Sequence, residues 1–119
     1  MDELTKPHKV YLIDSYRQQV VEATAGTLED YQRAVGGNIE AATIFKNGDT
    51  VYVDEEGLFK GYSRWFAIRG VTHQCFAGNG IVGGVDAQGE STDVKTPMRD
   101  LGITFLTTDE ARRWHETHG

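Results

Sequence analysis

The sequence predicts an α+β domain, with an antiparallel or mixed sheet of about six strands, one main helix and a short C-terminal helix. Three observations predict it. Short apolar runs recur between turn signals along most of the chain. An Asn47-Gly48 pair stands between two β-rich segments, the preferred dipeptide of a tight hairpin. Thr27 with Asp30, and Thr107 with Glu110, have the spacing of capping boxes, and each opens a helical stretch.

The elements follow in order. Residues 10–13, Val-Tyr-Leu-Ile, read as a buried strand, 14–18 as a polar turn and 19–24 as the return strand of a first hairpin. Gly26 breaks that strand. Thr27 then caps a helix whose Leu28, Tyr31 and Val35 fall at i, i+3 and i+7 on one apolar face, and Gly36-Gly37 ends it. Residues 39–45 and 50–54 form the second hairpin. With Asn47-Gly48 as a two-residue loop, Phe45 would face Thr50, Ile44 Val51 and Thr43 Tyr52. Glu55-Glu56-Gly57 closes it in a turn for which Gly57 supplies a positive φ.

The aromatic stretch from Leu58 to Ile68 has no clear period and is assigned to an irregular loop covering the core. Residues 80–86 are a glycine-rich strand, 91–95 a return strand stopped by Pro97, and 103–106 the last strand. The 27–35 helix is expected on one face of the sheet and the 108–116 helix at an edge.

At 119 residues the chain suits a single globular domain, 1–119. Charged residues at 25% and hydrophobic residues at 39% leave enough apolar surface to build a core. Cys75 is alone, so neither an intrachain disulfide nor a paired-cysteine metal site is available. The polar start and the lack of a long apolar run predict a cytoplasmic protein with no membrane segment. A net charge of −6 with 12 scattered basic residues argues against direct nucleic-acid binding, which needs clustered Lys and Arg. The 18 acidic residues read as a solvated surface rather than a nucleic-acid mimic.

The stretch 47–58, Asn-Gly-Asp-Thr-Val-Tyr-Val-Asp-Glu-Glu-Gly-Leu, carries an Asn-Gly hairpin closing on a V-D-E-E-G-L turn. Residues 76–84, Phe-Ala-Gly-Asn-Gly-Ile-Val-Gly-Gly, add a small-residue segment, and residues 10–37 a hairpin-then-helix lead-in. Over roughly residues 9–106 this pattern resembles the family labelled domain of unknown function 3846. The resemblance implies a setting, an accessory gene of a phage or mobile element acting in the bacterial cytoplasm. It carries no activity and no catalytic residues.

Candidate chemistry is sparse. Residues 78–83 satisfy G-x-G-x-x-G, but a turn follows instead of a helix, so the dinucleotide reading fails on context. Gly78, Asn79 and Gly80 then belong either to a strand crossed closely by another element or to a bare backbone surface that receives a ligand or strand. Tyr62, Arg64, Trp65 and Phe66 are either core cover or a contact patch for a partner or nucleotide. Asp54-Glu55-Glu56 reads as a solvated turn rather than a cation site. His73 and Cys75 would share a strand face but lack an orienting third group, and His115 and His118 with Glu116 lie at a helix end. No cofactor and no enzymatic activity are expected. The leading expectation is a protein that binds a host macromolecule, a host protein by its charge, with antagonism of host defence as the role. The alternative is a nucleotide- or small-molecule-binding module between residues 62–66 and 78–84. An open edge at the glycine strand would also permit a homodimer.

Overall fold

In the computed structural model residues 6–118 are described, with the side chains at 72, 73, 117 and 118 outside that description. The strands are β1 (His8–Asp14), β2 (Gln19–Ala25), β3 (Ile39–Ile44), β4 (Thr50–Asp54), β5 (Arg64–Ile68), β6 (Val71–Ala77), β7 (Gly80–Val85), β8 (Ser91–Thr92) and β9 (Ile103–Thr107). Helix α1 spans Leu28–Val35 and α2 spans Thr108–His118. Six strands form one sheet in the order β2-β1-β7-β4-β3, with β8 paired to β7, and β6-β5-β9 form a second. Every pairing is antiparallel. None of the described helices is long and apolar enough to cross a membrane.

Side-chain alternation along the strands produces four layers: α1, the first sheet, the second sheet, α2. Val10 and Ile81 join Tyr31 and Val35 of α1 in one cluster. Their strand neighbours Tyr11, Ile13 and Val82 point the other way and meet Phe66, Ile68 and Phe76 of the second sheet. Ala67, Cys75 and Leu106, on that sheet's far face, pack on Ala111 of α2. The C-terminal helix thus covers a sheet face and does not sit at an edge as the sequence suggested. The aromatic stretch also differs from expectation. Residues 57–59 make a short 3-10 turn and 64–68 form strand β5 rather than a loop. A strand buried on both faces is apolar at every position, so it lacks the alternation that reveals a half-buried strand.

Both capping boxes form. Thr27 Oγ1 accepts the Asp30 N–H at 3.1 Å and Asp30 Oδ2 accepts the Thr27 N–H at 3.2 Å. At α2, Thr107 Oγ1 accepts from Glu110 N at 3.2 Å and Glu110 Oε1 from Thr107 N at 2.8 Å. On α1 only Tyr31 and Val35 are buried; Leu28 projects into solvent, 60% exposed.

The second hairpin is one residue longer in its loop than the Asn47-Gly48 reading allowed. Phe45 N–H donates to Asp49 O at 2.8 Å and Gly48 N–H to Phe45 O at 3.0 Å, which leaves a three-residue loop with Gly48 at φ 94°. Ile44 therefore faces Thr50 and Thr43 faces Val51, and a bulge at Ala42 brings Ala41 opposite Tyr52. The extra loop residue is anchored by Asp49, fully buried, whose carboxylate accepts the N–H groups of Lys95 and Thr96. Gly57 is not at positive φ; it lies buried against Ala77.

Strand β7 answers the question of the glycines. It is the middle strand, paired with β1 on one side and β4 on the other. A Cβ on Gly80 would fall 2.7 Å from the Phe66 ring, and one on Gly83 would fall 2.5 Å from the Tyr31 hydroxyl. One on Gly84 would collide with the Asp93 carbonyl oxygen. The collision at Gly84 is with backbone and has no rotamer to relieve it. Gly84→Ala is therefore expected to lower stability by about 1–3 kcal/mol, read as a shift in the urea midpoint with an unchanged slope. A midpoint equal to wild type would contradict this packing.

Candidate functional site

Strand β4 ends on Asp54, whose side chain is 1% exposed. An isolated buried carboxylate is strongly unfavourable, so its oxygens must be satisfied. Oδ1 accepts the N–H of Glu56 at 2.9 Å. Oδ2 accepts the Tyr62 hydroxyl at 2.8 Å and lies 2.7 Å from Lys60 Nζ. Burial alone would raise this carboxyl; the bonds from Lys60, Glu56 and Tyr62 outweigh burial and hold it below its ordinary value of 3.8. Burial, and then the Asp54 carboxylate, push the Tyr62 phenol upward, while the bond to Asp54 raises the Lys60 ammonium.

The same atoms tie neighbouring elements together. Lys60 Nζ also donates to the carbonyl of Gly36, the left-handed cap of α1, at 3.0 Å. Gly37 leaves room for this ion pair, since a Cβ there would lie 2.7 Å from Lys60 Nζ and 2.8 Å from Asp54 Oδ1. The Tyr62 ring covers Gly78, where a Cβ would lie 3.1 Å from the ring. Beyond it, the buried Ser15 donates through Oγ to Gly78 O at 2.6 Å, and its N–H donates to Asn79 Oδ1 at 2.8 Å. One carboxylate thus joins the ends of α1 and β4, the turn that follows β4 and the β6–β7 connection.

On this fixed base the turn 55–61 carries Leu58, 73% exposed, and Phe59, 88% exposed. One concavity adjoins this turn and another lies at the Tyr62 side of the corner. A cleft of about 230 Å³ lies between β3 and β6, with Glu40, Ala42, Val53, Glu55, Leu58 and Cys75 among its lining. A smaller hollow of about 170 Å³ is lined by Tyr16, Arg33, Gly36, Tyr62 and Asn79.

The residues singled out in the sequence divide between this corner and the core. Tyr62, Arg64, Gly78 and Asn79 come together; Gly78 N–H donates to Arg64 O at 2.8 Å and Arg64 Nε to Ser15 O at 3.4 Å. Trp65 leaves for the other face of β5, where its Nε1 donates to Thr108 Oγ1 at 3.2 Å. Phe66 is fully buried between the sheets, directly against Gly80. The space above Gly80 that a flat ligand would use is filled by that ring. Asp54-Glu55-Glu56 is not a uniformly solvated turn, because Asp54 is buried and paired. Among the described residues no three His, Cys, Asp or Glu side chains are placed to hold a metal ion.

His73 and His118 lie outside the described side chains, so the pairings of His73 with Cys75 and of His115 with His118 fall there too. Cys75 instead meets His115, with Sγ 3.7 Å from Nε2, and donates to Ala111 O at 3.7 Å. Burial pushes its thiol from 9.0 up to about 11. A thiol in that range is a poor nucleophile near neutrality.

Sequence reasoning missed Lys60 and Ser15, whose importance comes from long-range contacts with no local signature. Leu58 and Phe59 were assigned to core cover. The signal for their exposure is that Gly57 and Gly61 bracket them, which marks a projecting turn.

Two measurements check these assignments. Asp54→Asn is expected to lower stability by about 2 kcal/mol, since it removes the charge that Lys60 and Tyr62 are arranged around. Because the folded carboxyl is depressed, its contribution is complete above 3.8 and is lost as pH falls through the folded value. The variant's acid unfolding should accordingly be shallower than wild type. For Cys75 the raised folded value means that stability declines as pH rises from about 9 through about 11, and Cys75→Ala should make the alkaline decline shallower, leaving the part due to the raised Tyr31 and Tyr62 phenols. An unchanged alkaline limb in Cys75→Ala would contradict the burial of the thiol.

The chain matches no curated protein and no solved structure. The family described as Domain of unknown function (DUF3846) matches residues 8–105, a span that holds α1, β1–β8, the first three residues of β9, the Asp54 corner and the Leu58-Phe59 turn. With most of its length covered by that match, the chain belongs to this family.

Proposed function

We propose that the protein acts without catalysis, by binding a macromolecule of a bacterial host cell through the turn that carries Leu58 and Phe59. One observation carries the reading. Among the described residues the two most exposed large apolar side chains stand side by side, 73% and 88% exposed, on a turn whose base is fixed by the buried Asp54 carboxylate. Solvent-exposed apolar pairs gain free energy when covered, at about 25 cal/mol per Å². A turn already held in place loses little further entropy on docking, which is what an interface anchor requires. The net charge of −6 supports a protein over a nucleic acid as the macromolecule. The setting supported by the family resemblance is an accessory protein of a phage or mobile element, with antagonism of host defence as the role such binding would serve.

The second reading, a small ligand or nucleotide, rests on the hollow where Tyr16, Tyr62, Arg33 and Asn79 meet. Its volume of about 170 Å³ is below the roughly 300 Å³ at which drug-sized ligand sites begin, which favours the first reading. A ligand held there should raise the melting temperature with concentration.

The test is affinity capture from host lysate with wild-type protein and with a Leu58→Ser/Phe59→Ser variant. Both positions are exposed, so the fold should be unaffected and circular dichroism should be unchanged. Wild type is expected to retain one identifiable host protein that rebinds after purification, and the variant to bind it at least about tenfold more weakly. Equal retention by the variant would sink the proposal.

A further inference from the structure

We propose that the cleft beside this turn receives a lysine or arginine side chain from an extended basic segment of a protein partner. The inference rests on the binding role just proposed and specifies the chemistry of what is bound. It starts from a mismatch between the layers. The first sheet is five strands wide along its main path and the second only three, so β6 ends the second sheet. Beyond it the inner face of β3 is left without a strand opposite, and the cleft of about 230 Å³ occupies that place.

The lining has two characters. Ala42, Val53, Leu58 and Phe76 make apolar walls, while Glu40 and Glu55 supply carboxylates, and among the described residues no lysine, arginine or histidine lines the cleft. Asp54 also borders it but is committed to Lys60. Glu55 accepts one bond, from Asn38 Nδ2 at 3.1 Å, and is otherwise exposed. Glu40 is exposed and forms no ion pair with any described residue. A long aliphatic stem ending in a cation fits both characters, with the methylenes on the walls and the charge at the carboxylates.

Size and shape narrow the occupant. At about 30 Å³ per water the space equals roughly eight waters, room for one long side chain rather than a whole ligand. Both bordering strands are irregular, β3 at its Ala41/Thr43 bulge and β6 where its register with β5 shifts between Phe66 and Ile68. Bulged edges are poor templates for pairing with a stray strand, so recognition falls to the inserted side chain. A second copy of this chain is the wrong occupant. A two-fold interface would set the Glu40 and Glu55 rim against itself in a molecule already at −6.

The test uses two synthetic dodecapeptides, one alternating Thr and Arg and one alternating Thr and Glu, titrated into isotopically labelled protein. The arginine peptide is expected to shift the amides of Glu40, Ala42, Glu55 and Leu58, and the glutamate peptide to shift none. Affinity should weaken about tenfold between 50 and 500 mM salt. It should weaken by a similar factor in Glu40→Gln/Glu55→Gln, while the equally neutralising Glu22→Gln/Glu90→Gln leaves it unchanged. Shifts that map elsewhere, equal weakening in the two double variants, no shifts at all, or a salt-insensitive dimer perturbing the same amides would each overturn the proposal. Failure here is separable from failure of the turn. A host protein lost by Leu58→Ser/Phe59→Ser but kept by Glu40→Lys leaves the turn standing and removes the cleft.

Discussion

The close approach of side chains to the backbone of β7 is the constraint on which the rest of the fold is built. This strand lies between β1 and β4, with Phe66 of the second sheet pressed onto Gly80 and Tyr31 of α1 pressed onto Gly83. Because successive residues point to opposite faces, a glycine on each face lets one strand accept a layer from above and a layer from below. Ile81 and Val82 fill the positions between, and both are fully buried. Added methyl groups here would separate layers whose contact forms the core, and a well-packed interior has little slack to absorb them.

The Asp54 corner depends on this arrangement and performs a different task. Strand β4 pairs with β7, which brings its last residue beside the Gly78 turn and the end of α1. A buried carboxylate adds little net stability compared with an apolar side chain of equal size, but its bonds have direction. Lys60, Tyr62 and the Glu56 N–H can satisfy it together only when the turn has one shape. The ion pair therefore fixes the geometry of Leu58 and Phe59 without covering them.

Charge and apolar exposure divide the surface in a way that suits recognition of a protein. The exposed apolar pair lies next to a cleft whose charged lining, among the described residues, is acidic. In the proposed binding role, apolar contact would supply affinity and the carboxylates selectivity between partners, roles that interfaces commonly separate. Cys75, which also borders that cleft, turns its thiol toward α2 and is held neutral by burial.

The sequence by itself determined the α+β class, both capping boxes, the order of most strands and the family resemblance. These rest on interactions between residues close in the chain, or on side-chain periodicity that one segment displays alone. Thr27 with Asp30 and Thr107 with Glu110 are legible because donor and acceptor lie three residues apart. Tertiary structure alone decided that Phe66 belongs to the core, that its chain neighbour Trp65 faces α2, and that Tyr62 rather than either ring borders the candidate site. It also shifted the second hairpin by one residue, because Asp49 is drawn in by the Lys95 and Thr96 amides, 46 and 47 positions away. Lys60 reaching Gly36 and Asp54, and β6 leaving β3 uncovered, are likewise facts of assembly. A chain's local pattern records which face a residue prefers, whereas which distant group occupies that face is fixed only when the layers pack.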